Sequence, residues 1–298
     1  MVDRTPLEGI HVPLVTPFAA DGRIAEEALE RLARELLDAG AAGLVALGTT
    51  GEPATLKAAE KTTVVEVCAR VCRERRASLL VGAGSNATLD SAAALAELAR
   101  WPEVTGALVP VPYFTRPSPD GVLAHFAELA SGSPVPLVVY HIPYRTGRSL
   151  DGQTLRELVR VPGIAGVKYA AGAVDRAAVE LLGDLPAGCA VLAGDDAFAS
   201  PLLALGAAGA VLASANLAPA PFVELAAAWR SGDAHRARAW GHALSPLSTA
   251  VFAEPNPTVI KAVLHAQGRI PTPDVRLPLL PAGPDAVHTA LKHLAALG

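Results

Sequence analysis

One lysine interrupts an apolar stretch near the middle of the chain. Residues 164–172 read IAGVKYAAG with Lys168 at the centre, and the chain holds only five lysines against twenty arginines. An ammonium group buried in a β-strand is costly unless it is paired or neutralised, and burial lowers its pKa. The neutral amine can then attack a carbonyl carbon and form a Schiff base. The alternative is a lysine at a strand end whose amine reaches solvent.

A second apolar run ends in the sequence GTTGE at residues 48–52. Glycines allow backbone N–H groups to turn toward a ligand, and the hydroxyl groups of Thr49 and Thr50 add hydrogen-bond donors. Such a segment can hold a carboxylate or a phosphate. The alternative is an ordinary turn between a strand and a helix, in which Thr50 is the helix N-cap.

A tyrosine and an arginine lie at the end of another run, PLVVYHIPYRTG at residues 136–147. Tyr140 can act there as a proton relay or pack as a core aromatic residue. Arg145 can bind a substrate carboxylate or form a surface salt bridge. His141 alternates with Tyr140 along the strand and so points the other way, which indicates a packed or hydrogen-bonded histidine rather than a catalytic one.

Two later runs end in polar segments, GDD at 194–196 and LASAN at 212–216, which can line a pocket or cap helices. No pair of histidines and carboxylates has the spacing of metal ligands, and this disfavours a metal-dependent aldolase. Cys68 and Cys72 lie four residues apart on a helix-like stretch. We expect them to pack in the core, because no His or further Cys lies near them in sequence.

All of these segments lie in an alternating pattern of strand-like and helix-like stretches. Eight apolar runs of strand length occupy residues 10–18, 42–48, 77–84, 106–111, 136–142, 164–170, 189–194 and 208–215. Helical periodicity follows them at 26–39, 56–75, 89–100, 119–130, 154–161, 174–182, 197–205 and 218–229. The pattern predicts an α/β fold, a (β/α)8 TIM barrel with its active site at the C-terminal ends of the strands. A doubly wound sheet would need a glycine-rich turn after the first strand, and residues 16–18 read TPF.

The strand pattern stops near residue 230. We therefore expect a barrel catalytic domain at residues 1–230 and a C-terminal helical extension at 231–298, with helices near 233–247, 257–267 and 284–297. The net charge of -4, with both signs interspersed, disfavours nucleic acid and anionic membranes as partners. No long apolar run or signal-peptide pattern is present, so we expect a cytoplasmic protein.

Taken together, the motifs resemble the dihydrodipicolinate synthase and N-acetylneuraminate lyase family. The resemblance covers nearly the whole chain and rests on several motifs in the family's order. They are Gly-Thr-Thr-Gly-Glu at 48–52, Tyr140 with the following Pro143, Arg145, Thr146 and Gly147, Gly-Val-Lys at 166–168, Gly-Asp-Asp at 194–196, and Asn256-Pro257 with Lys261.

The resemblance implies a (β/α)8 barrel with a C-terminal helical extension, assembled as a homotetramer or homodimer. It also implies pyruvate chemistry without a cofactor, in which Lys168 forms a covalent imine with the 2-oxo acid. Thr49 and Thr50 would bind the pyruvate carboxylate and transfer protons, and Tyr140 would be the general acid and base.

We expect three further residues to bind substrate. Arg145 would bind the carboxylate of the second, aldehyde substrate, as in the synthase branch of the family. Gly194 and Leu212 would line the substrate pocket.

The chain departs from the synthase pattern at several positions. Two adjacent tyrosines are usual in the loop after the fourth strand, but this chain has Tyr113 followed by Phe114, which cannot relay a proton. Pro53 and Tyr169 stand where the synthases usually have Ser and Glu, and His141 replaces a usual Asn. Because Tyr169 is adjacent to Lys168 in the strand, we expect it to face away into the helix layer.

These observations predict a Schiff-base lyase or synthase that condenses pyruvate with an aldehyde. The activity that the resemblance favours joins pyruvate to aspartate semialdehyde in lysine biosynthesis, because Arg145 is present. The alternative is a related aldolase or dehydratase acting on a 2-oxo-3-deoxy sugar acid or hydroxy-oxo acid, which Phe114 favours. A barrel that only binds a small molecule is the hypothesis from another class, and a buried lysine argues against it.

Overall fold

The computed structural model describes residues 7–298 and has eight parallel strands closed into a barrel in the order β1 to β8, with helices between them. The predicted TIM barrel is therefore confirmed. The strands are β1 Gly9–Pro13, β2 Gly43–Ala46, β3 Ser78–Gly82, β4 Val104–Pro110, β5 Leu137–His141, β6 Ile164–Tyr169, β7 Ala190–Ala193 and β8 Gly209–Val211.

The helices follow the strands in the alternation that the sequence predicts. Those within the barrel are α1 Glu26–Asp38, α2 Ala58–Arg75, α3 Thr88–Ala96, α4 Pro119–Gly132, α5 Pro143–Thr146, α6 Gly152–Leu158, α7 Arg176–Leu182, α8 Ala199–Ala204 and α9 Pro219–Arg230. Three more form the C-terminal part: α10 Ala234–Val251, α11 Thr258–Ala266 and α12 Pro284–Ala295. Within the described residues, no helix is long and apolar enough to cross a membrane.

The strands form because their residues are apolar on both faces. Every residue of β2, β5 and β7 is buried, as expected for parallel strands covered by helices on the outside. The helices are amphipathic instead. In α1 the buried residues recur every three or four positions, which leaves the charged residues of the helix on the opposite face.

Several element boundaries differ from the prediction, and two of the differences have a clear structural reason. The first apolar run covers 10–18, but β1 ends at Pro13, and Phe18 forms only an isolated antiparallel bridge with Ile24. The helix predicted at 233–247 continues through Pro246 to Val251. Leu247, Ser248 and Val251 are buried on one face of the helix, and this packing outweighs the lost backbone hydrogen bond at proline.

The chain divides into two compact units. One contains the residues just before β1 together with Leu80–Val211, and the other contains Gly9–Leu79 and Leu212–Gly298. In the first unit β4 to β8 pair as parallel neighbours, and the register of β5 against β6 shifts once, between Leu137 and Val138. In the second, β1 pairs with β2, and α10 packs against α9 and α12. The division into a domain at 1–230 and an extension at 231–298 stays a prediction.

Candidate active site

Lys168 and Tyr140 are partners on neighbouring strands. The register of β5 and β6 pairs Tyr140 with Lys168, so both side chains leave the sheet on the same face. The Nζ atom of Lys168 lies 4.1 Å from the centre of the Tyr140 ring, which is within the range of a cation–π interaction. Lys168 is only 6 % exposed and Tyr140 7 %. The amine of Lys168 is therefore held against an aromatic ring and does not extend into solvent.

Burial sets the protonation of Lys168. It lowers the pKa of the amine from 10.5 to about 8, because the charged form loses its hydration. The negative charge of Asp196 is the strongest opposing influence on this pKa, followed by Tyr144 and Asp195, while the positive charge of Arg145 acts in the same direction as burial. The neutral amine is thus abundant near pH 8, as a Schiff-base nucleophile requires.

Gly194, at the end of β7, packs against the stem of this lysine. A Cβ atom at position 194 would lie 2.9 Å from Cγ of Lys168 and equally close to Cβ of Ala170 and the carbonyl oxygen of Tyr169. The backbone N–H of Gly194 donates to the same Tyr169 oxygen at 2.7 Å. The position therefore requires glycine for packing, and its N–H is already used in the sheet.

Two acidic residues follow Gly194. Asp195 does not cap the short helix that begins at Asp196; its Oδ2 atom accepts a hydrogen bond from the backbone N–H of Gly172 at 2.6 Å. Burial raises the pKa of Asp195, and the Gly172 N–H and the charge of Lys168 oppose this rise. Asp196 is 6 % exposed. The pair supplies negative charge that acts on Lys168.

Arg145 lies in α5 and is exposed, as is Tyr144. The Nε atom of Arg145 donates to the Tyr144 hydroxyl at 3.2 Å, and the guanidinium group lies 5.1 Å from the centre of the same ring. None of the salt bridges among residues 7–298 involves Arg145. The surface ion pair considered as its alternative role is therefore absent, and the guanidinium is available to an anion.

Tyr169 and His141 pack together away from these groups. The Tyr169 hydroxyl donates to Oδ1 of Asp175, the N-cap residue of α7, at 2.5 Å, which confirms that it points to the helix layer. Burial raises the pKa of Tyr169, and the hydrogen bond to Asp175 acts in the same direction. His141 is buried with its ring centre 5.2 Å from that of Tyr169, and burial lowers its pKa to about 4. His141 is a packed histidine, as predicted.

The Thr49–Gly51 segment forms a single 3-10 turn after β2. The Oγ1 atom of Thr16 donates to the carbonyl oxygen of Gly51 at 2.8 Å and fixes one end of the turn. Thr50 is 3 % exposed, and its Oγ1 atom accepts a hydrogen bond from Nδ2 of Asn256 at 3.0 Å. Helix α2 begins at Ala58 with Lys57 as its N-cap, so Thr50 does not cap it.

A buried ion pair lies directly after the turn. Nζ of Lys261, in α11, is 2.8 Å from Oε1 of Glu52, and both side chains are almost fully buried. Burial lowers the pKa of Lys261, and the Glu52 carboxylate opposes this. The other carboxylate oxygen of Glu52 accepts from the backbone N–H of Arg276 at 2.9 Å. Nζ of Lys261 also lies 4.0 Å from the centre of the Phe18 ring.

Leu212 is fully buried just after β8, and its N–H donates to the carbonyl oxygen of His11 at 3.2 Å. The substrate-binding roles of Gly194 and Leu212 stay predictions. Within residues 7–298, no three His, Cys, Asp or Glu side chains are grouped to hold a metal ion. Cys68 and Cys72 are buried in α2, and burial raises the pKa of the Cys68 thiol.

Sequence reasoning assigned no role to Tyr144 or Asn256. Tyr144 contacts Arg145 and influences the pKa of Lys168. The sequence feature that could have identified Tyr144 is its position next to Arg145, directly after β5. Asn256 bonds to Thr50 from a position 206 residues away in the chain. Only the Asn-Pro motif marked it, and no spacing rule predicts a partner so distant in sequence.

Comparisons with known proteins agree with this architecture. A family model described as the Dihydrodipicolinate synthetase family matches residues 6–297. A protein of Syntrophus aciditrophicus named 4-hydroxy-tetrahydrodipicolinate synthase is 39 % identical over 274 residues, which are 91 % of this chain and 92 % of that protein. A protein of the same name from Neisseria meningitidis serogroup B is 37 % identical over 289 residues, covering 96 % of this chain and 98 % of that one.

Solved structures give the same result. The 4-hydroxy-tetrahydrodipicolinate synthase of Methylacidiphilum fumariolicum SolV superposes with a TM-score of 0.91 at 33 % identity, covering 97 % of this chain and 95 % of that one. The dihydrodipicolinate synthase of Acinetobacter baumannii, solved in complex with pyruvate, has a TM-score of 0.92 at 33 % identity, with coverage of 97 % and 99 %. The chain belongs to the dihydrodipicolinate synthetase family.

Proposed function

We propose that this chain is a Schiff-base lyase that condenses pyruvate with aspartate semialdehyde, the activity of a 4-hydroxy-tetrahydrodipicolinate synthase. The observation that supports it most strongly is the buried amine of Lys168, whose pKa is lowered to about 8 and which lies against Tyr140. A site that only bound a small molecule would have no need of such an amine. The relatives named for this activity support the same assignment.

The first step joins Lys168 to pyruvate. The lone pair of the neutral amine forms a bond to the carbonyl carbon, and the carbonyl oxygen takes a proton. After a second proton transfer, water leaves and the imine forms. Tyr140, as the general acid and base, delivers and removes these protons. Thr49 and Thr50 bind the pyruvate carboxylate, an assignment that rests on the family resemblance.

The second step forms the carbon–carbon bond. The protonated imine withdraws electrons, so the methyl group of bound pyruvate loses a proton and the imine is converted to an enamine. The enamine carbon attacks the aldehyde carbon of aspartate semialdehyde, whose oxygen takes a proton. The amino group of the semialdehyde then attacks the imine carbon, closes the ring and displaces the Lys168 amine.

Arg145 binds the carboxylate of the semialdehyde in this proposal. Its guanidinium group is exposed and has no ion pair within residues 7–298, so it can form two parallel hydrogen bonds with a carboxylate. We keep Gly194 and Leu212 as substrate-binding residues. No cofactor is required, because the imine itself serves as the electron sink.

Phe114 favours the alternative, a related aldolase or dehydratase that acts on a 2-oxo-3-deoxy sugar acid or hydroxy-oxo acid. Its ring is 86 % exposed and has no hydroxyl group to relay a proton, and Tyr113 beside it is 40 % exposed. Both activities share an imine at Lys168, but the alternative cleaves or dehydrates one 2-oxo acid, whereas the synthase joins pyruvate to an aldehyde.

We assign the enzyme a cytoplasmic location and a homotetrameric or homodimeric assembly, as the family resemblance implies. Its partners are the small 2-oxo acid and aldehyde substrates, without nucleic acid or membrane.

A substrate comparison tests the proposal. The wild-type protein is assayed for condensation of pyruvate with aspartate semialdehyde, and in parallel for pyruvate release from a panel of 2-oxo-3-deoxy sugar acids. We expect turnover with the semialdehyde and little with the panel, and none in Lys168→Met, which keeps the length of the side chain without its amine. Pyruvate release from a sugar acid without condensation would support the alternative. Turnover in Lys168→Met would contradict both.

A further inference from the structure

The hydroxyl group of Thr50 receives a hydrogen bond from the C-terminal part of the chain. Nδ2 of Asn256, between α10 and α11, donates to Oγ1 of Thr50 at 3.0 Å. A threonine hydroxyl carries one hydrogen and can accept through its lone pairs. Because Asn256 donates a hydrogen bond to the Thr50 oxygen, the hydroxyl hydrogen of Thr50 cannot point at Asn256. It must point elsewhere.

Within residues 7–298 no protein acceptor takes that hydrogen, since the bond from Asn256 is the one hydrogen bond that the Thr50 hydroxyl makes. Thr50 is nevertheless 3 % exposed. A buried hydroxyl with an unused donor loses the hydrogen bond that water would supply. A carboxylate accepts hydrogen bonds and cannot donate them, so it is the matching ligand.

Asn256 is held in place by neighbouring contacts. Five residues further along, Lys261 forms the buried ion pair with Glu52 at 2.8 Å. The backbone N–H of Arg276 donates to the same carboxylate at 2.9 Å. The segment 256–261 is therefore tied to the segment 50–52 at both ends. The Thr50 hydrogen could turn toward Asn256 only if Asn256 moved against this anchor.

We infer that Asn256 is a positioning residue that holds the Thr50 hydroxyl as a hydrogen-bond donor toward the carboxylate of the 2-oxo acid. This inference rests on the proposed function, in which Thr50 binds that carboxylate. The inference gives Asn256 no direct contact with the 2-oxo acid and no part in the reaction of Lys168. Its effect is therefore on the binding of the 2-oxo acid rather than on the chemistry at the amine.

The test measures the pyruvate concentration that gives half-maximal borohydride trapping, in the wild-type protein and in variants. Asn256→Ala removes the donor. We expect the half-saturating pyruvate concentration to rise about fivefold, as for one lost hydrogen bond. Asn256→Asp keeps the shape but can only accept, so it takes the Thr50 hydrogen and adds a negative charge. We expect a rise of at least about tenfold for it.

A double-variant comparison separates positioning from a structural effect. In a Thr50→Val background there is no hydroxyl to orient, so we expect Asn256→Ala to have no further effect on half-saturation. Val263→Ala, which shortens a buried apolar side chain in α11, is the matched control. Its half-saturation stays at the wild-type value even if its melting temperature falls as far as that of Asn256→Ala.

The outcomes are distinct. Trapping in wild type with unchanged half-saturation in Asn256→Ala overturns the inference and leaves the proposed function standing. If Asn256→Ala weakens pyruvate trapping as much in the Thr50→Val background as in wild type, Asn256 has only a structural role. If Asn256→Asp binds pyruvate more tightly than Asn256→Ala, the hydrogen bond runs from Thr50 to Asn256. Either result overturns the inference. Failure of the folded wild type to trap pyruvate overturns the proposed function, and the inference with it.

Discussion

Nζ of Lys168 lies 4.1 Å from the centre of the Tyr140 ring, on neighbouring strands whose register pairs the two residues. The π-face of the ring stabilises the ammonium form, while burial disfavours it. Burial prevails, so the amine has a pKa of about 8. The same pairing places a phenol beside the nucleophile, where protons must be exchanged during imine formation.

The buried amine makes stability depend on pH in a defined direction. Because the folded-state pKa is about 8 against 10.5 for the ordinary value, the folded state disfavours the protonated amine. The destabilisation that the buried amine causes is complete below about pH 8, decreases between pH 8 and 10.5, and is absent above pH 10.5. We predict that Lys168→Met raises the free energy of unfolding by about 3 kcal/mol at pH 7.

Urea unfolding at pH 7, 9 and 10.5 measures this effect, with Lys292→Met as a surface control. The difference between Lys168→Met and wild type shrinks as pH rises, and the control shows no such trend. A difference that stays constant over this range would contradict the lowered pKa.

Asp196 is the strongest influence that keeps the Lys168 pKa from falling further. We predict that Asp196→Asn lowers the pH at which imine formation with pyruvate reaches half its maximal rate, because the ammonium loses a stabilising charge. Stopped-flow mixing with pyruvate from pH 6 to pH 10 measures the midpoint. Asp120→Asn, the same change at an exposed position in α4, leaves the midpoint in place. An upward shift in Asp196→Asn would contradict this assignment of charges.

Gly194 leaves room for the stem of Lys168. Gly194→Ala places a methyl group 2.9 Å from Cγ of Lys168 and from two other atoms, so the lysine or the strand must shift. We predict at least about a tenfold loss of kcat, since small displacements of a reacting group are costly, with destabilisation of about 1–3 kcal/mol. Gly132→Ala, where no atom lies within 4 Å, is the control. Wild-type kcat in Gly194→Ala would show that the lysine tolerates displacement.

Arg145 has no carboxylate partner within residues 7–298. We predict that Arg145→Ala raises KM for aspartate semialdehyde about 10- to 100-fold, the range for a lost hydrogen bond to a charged group. Half-saturation of trapping by pyruvate stays within about twofold, because the proposed contact is with the second substrate. Arg176→Ala, on the surface at 91 % exposure, is the control. Equal losses for both substrates would make Arg145 a structural residue.

The eight strands and the helices between them could be predicted because their apolar periodicity is local. Lys168 could be selected because a charged residue inside such a run is conspicuous in sequence. Asn256 and its bond to Thr50 could not be predicted, since the two residues are 206 positions apart and meet only in the folded chain. The hydrogen bond from the Tyr169 hydroxyl to Asp175 could not be predicted either, because it depends on where α7 begins in the folded chain. Helix α10 continues beyond Pro246 because tertiary packing outweighs the helix-breaking tendency of proline.

In the proposed mechanism Lys168 forms an imine with pyruvate. The most direct test is borohydride reduction of the protein in the presence of pyruvate, followed by intact mass measurement and peptide mapping, with Lys168→Met treated in parallel. We predict one stable adduct per chain, located on Lys168 and absent from the variant. An adduct on another lysine, or no adduct in folded wild-type protein under conditions that trap a known pyruvate-dependent lyase, would contradict the account.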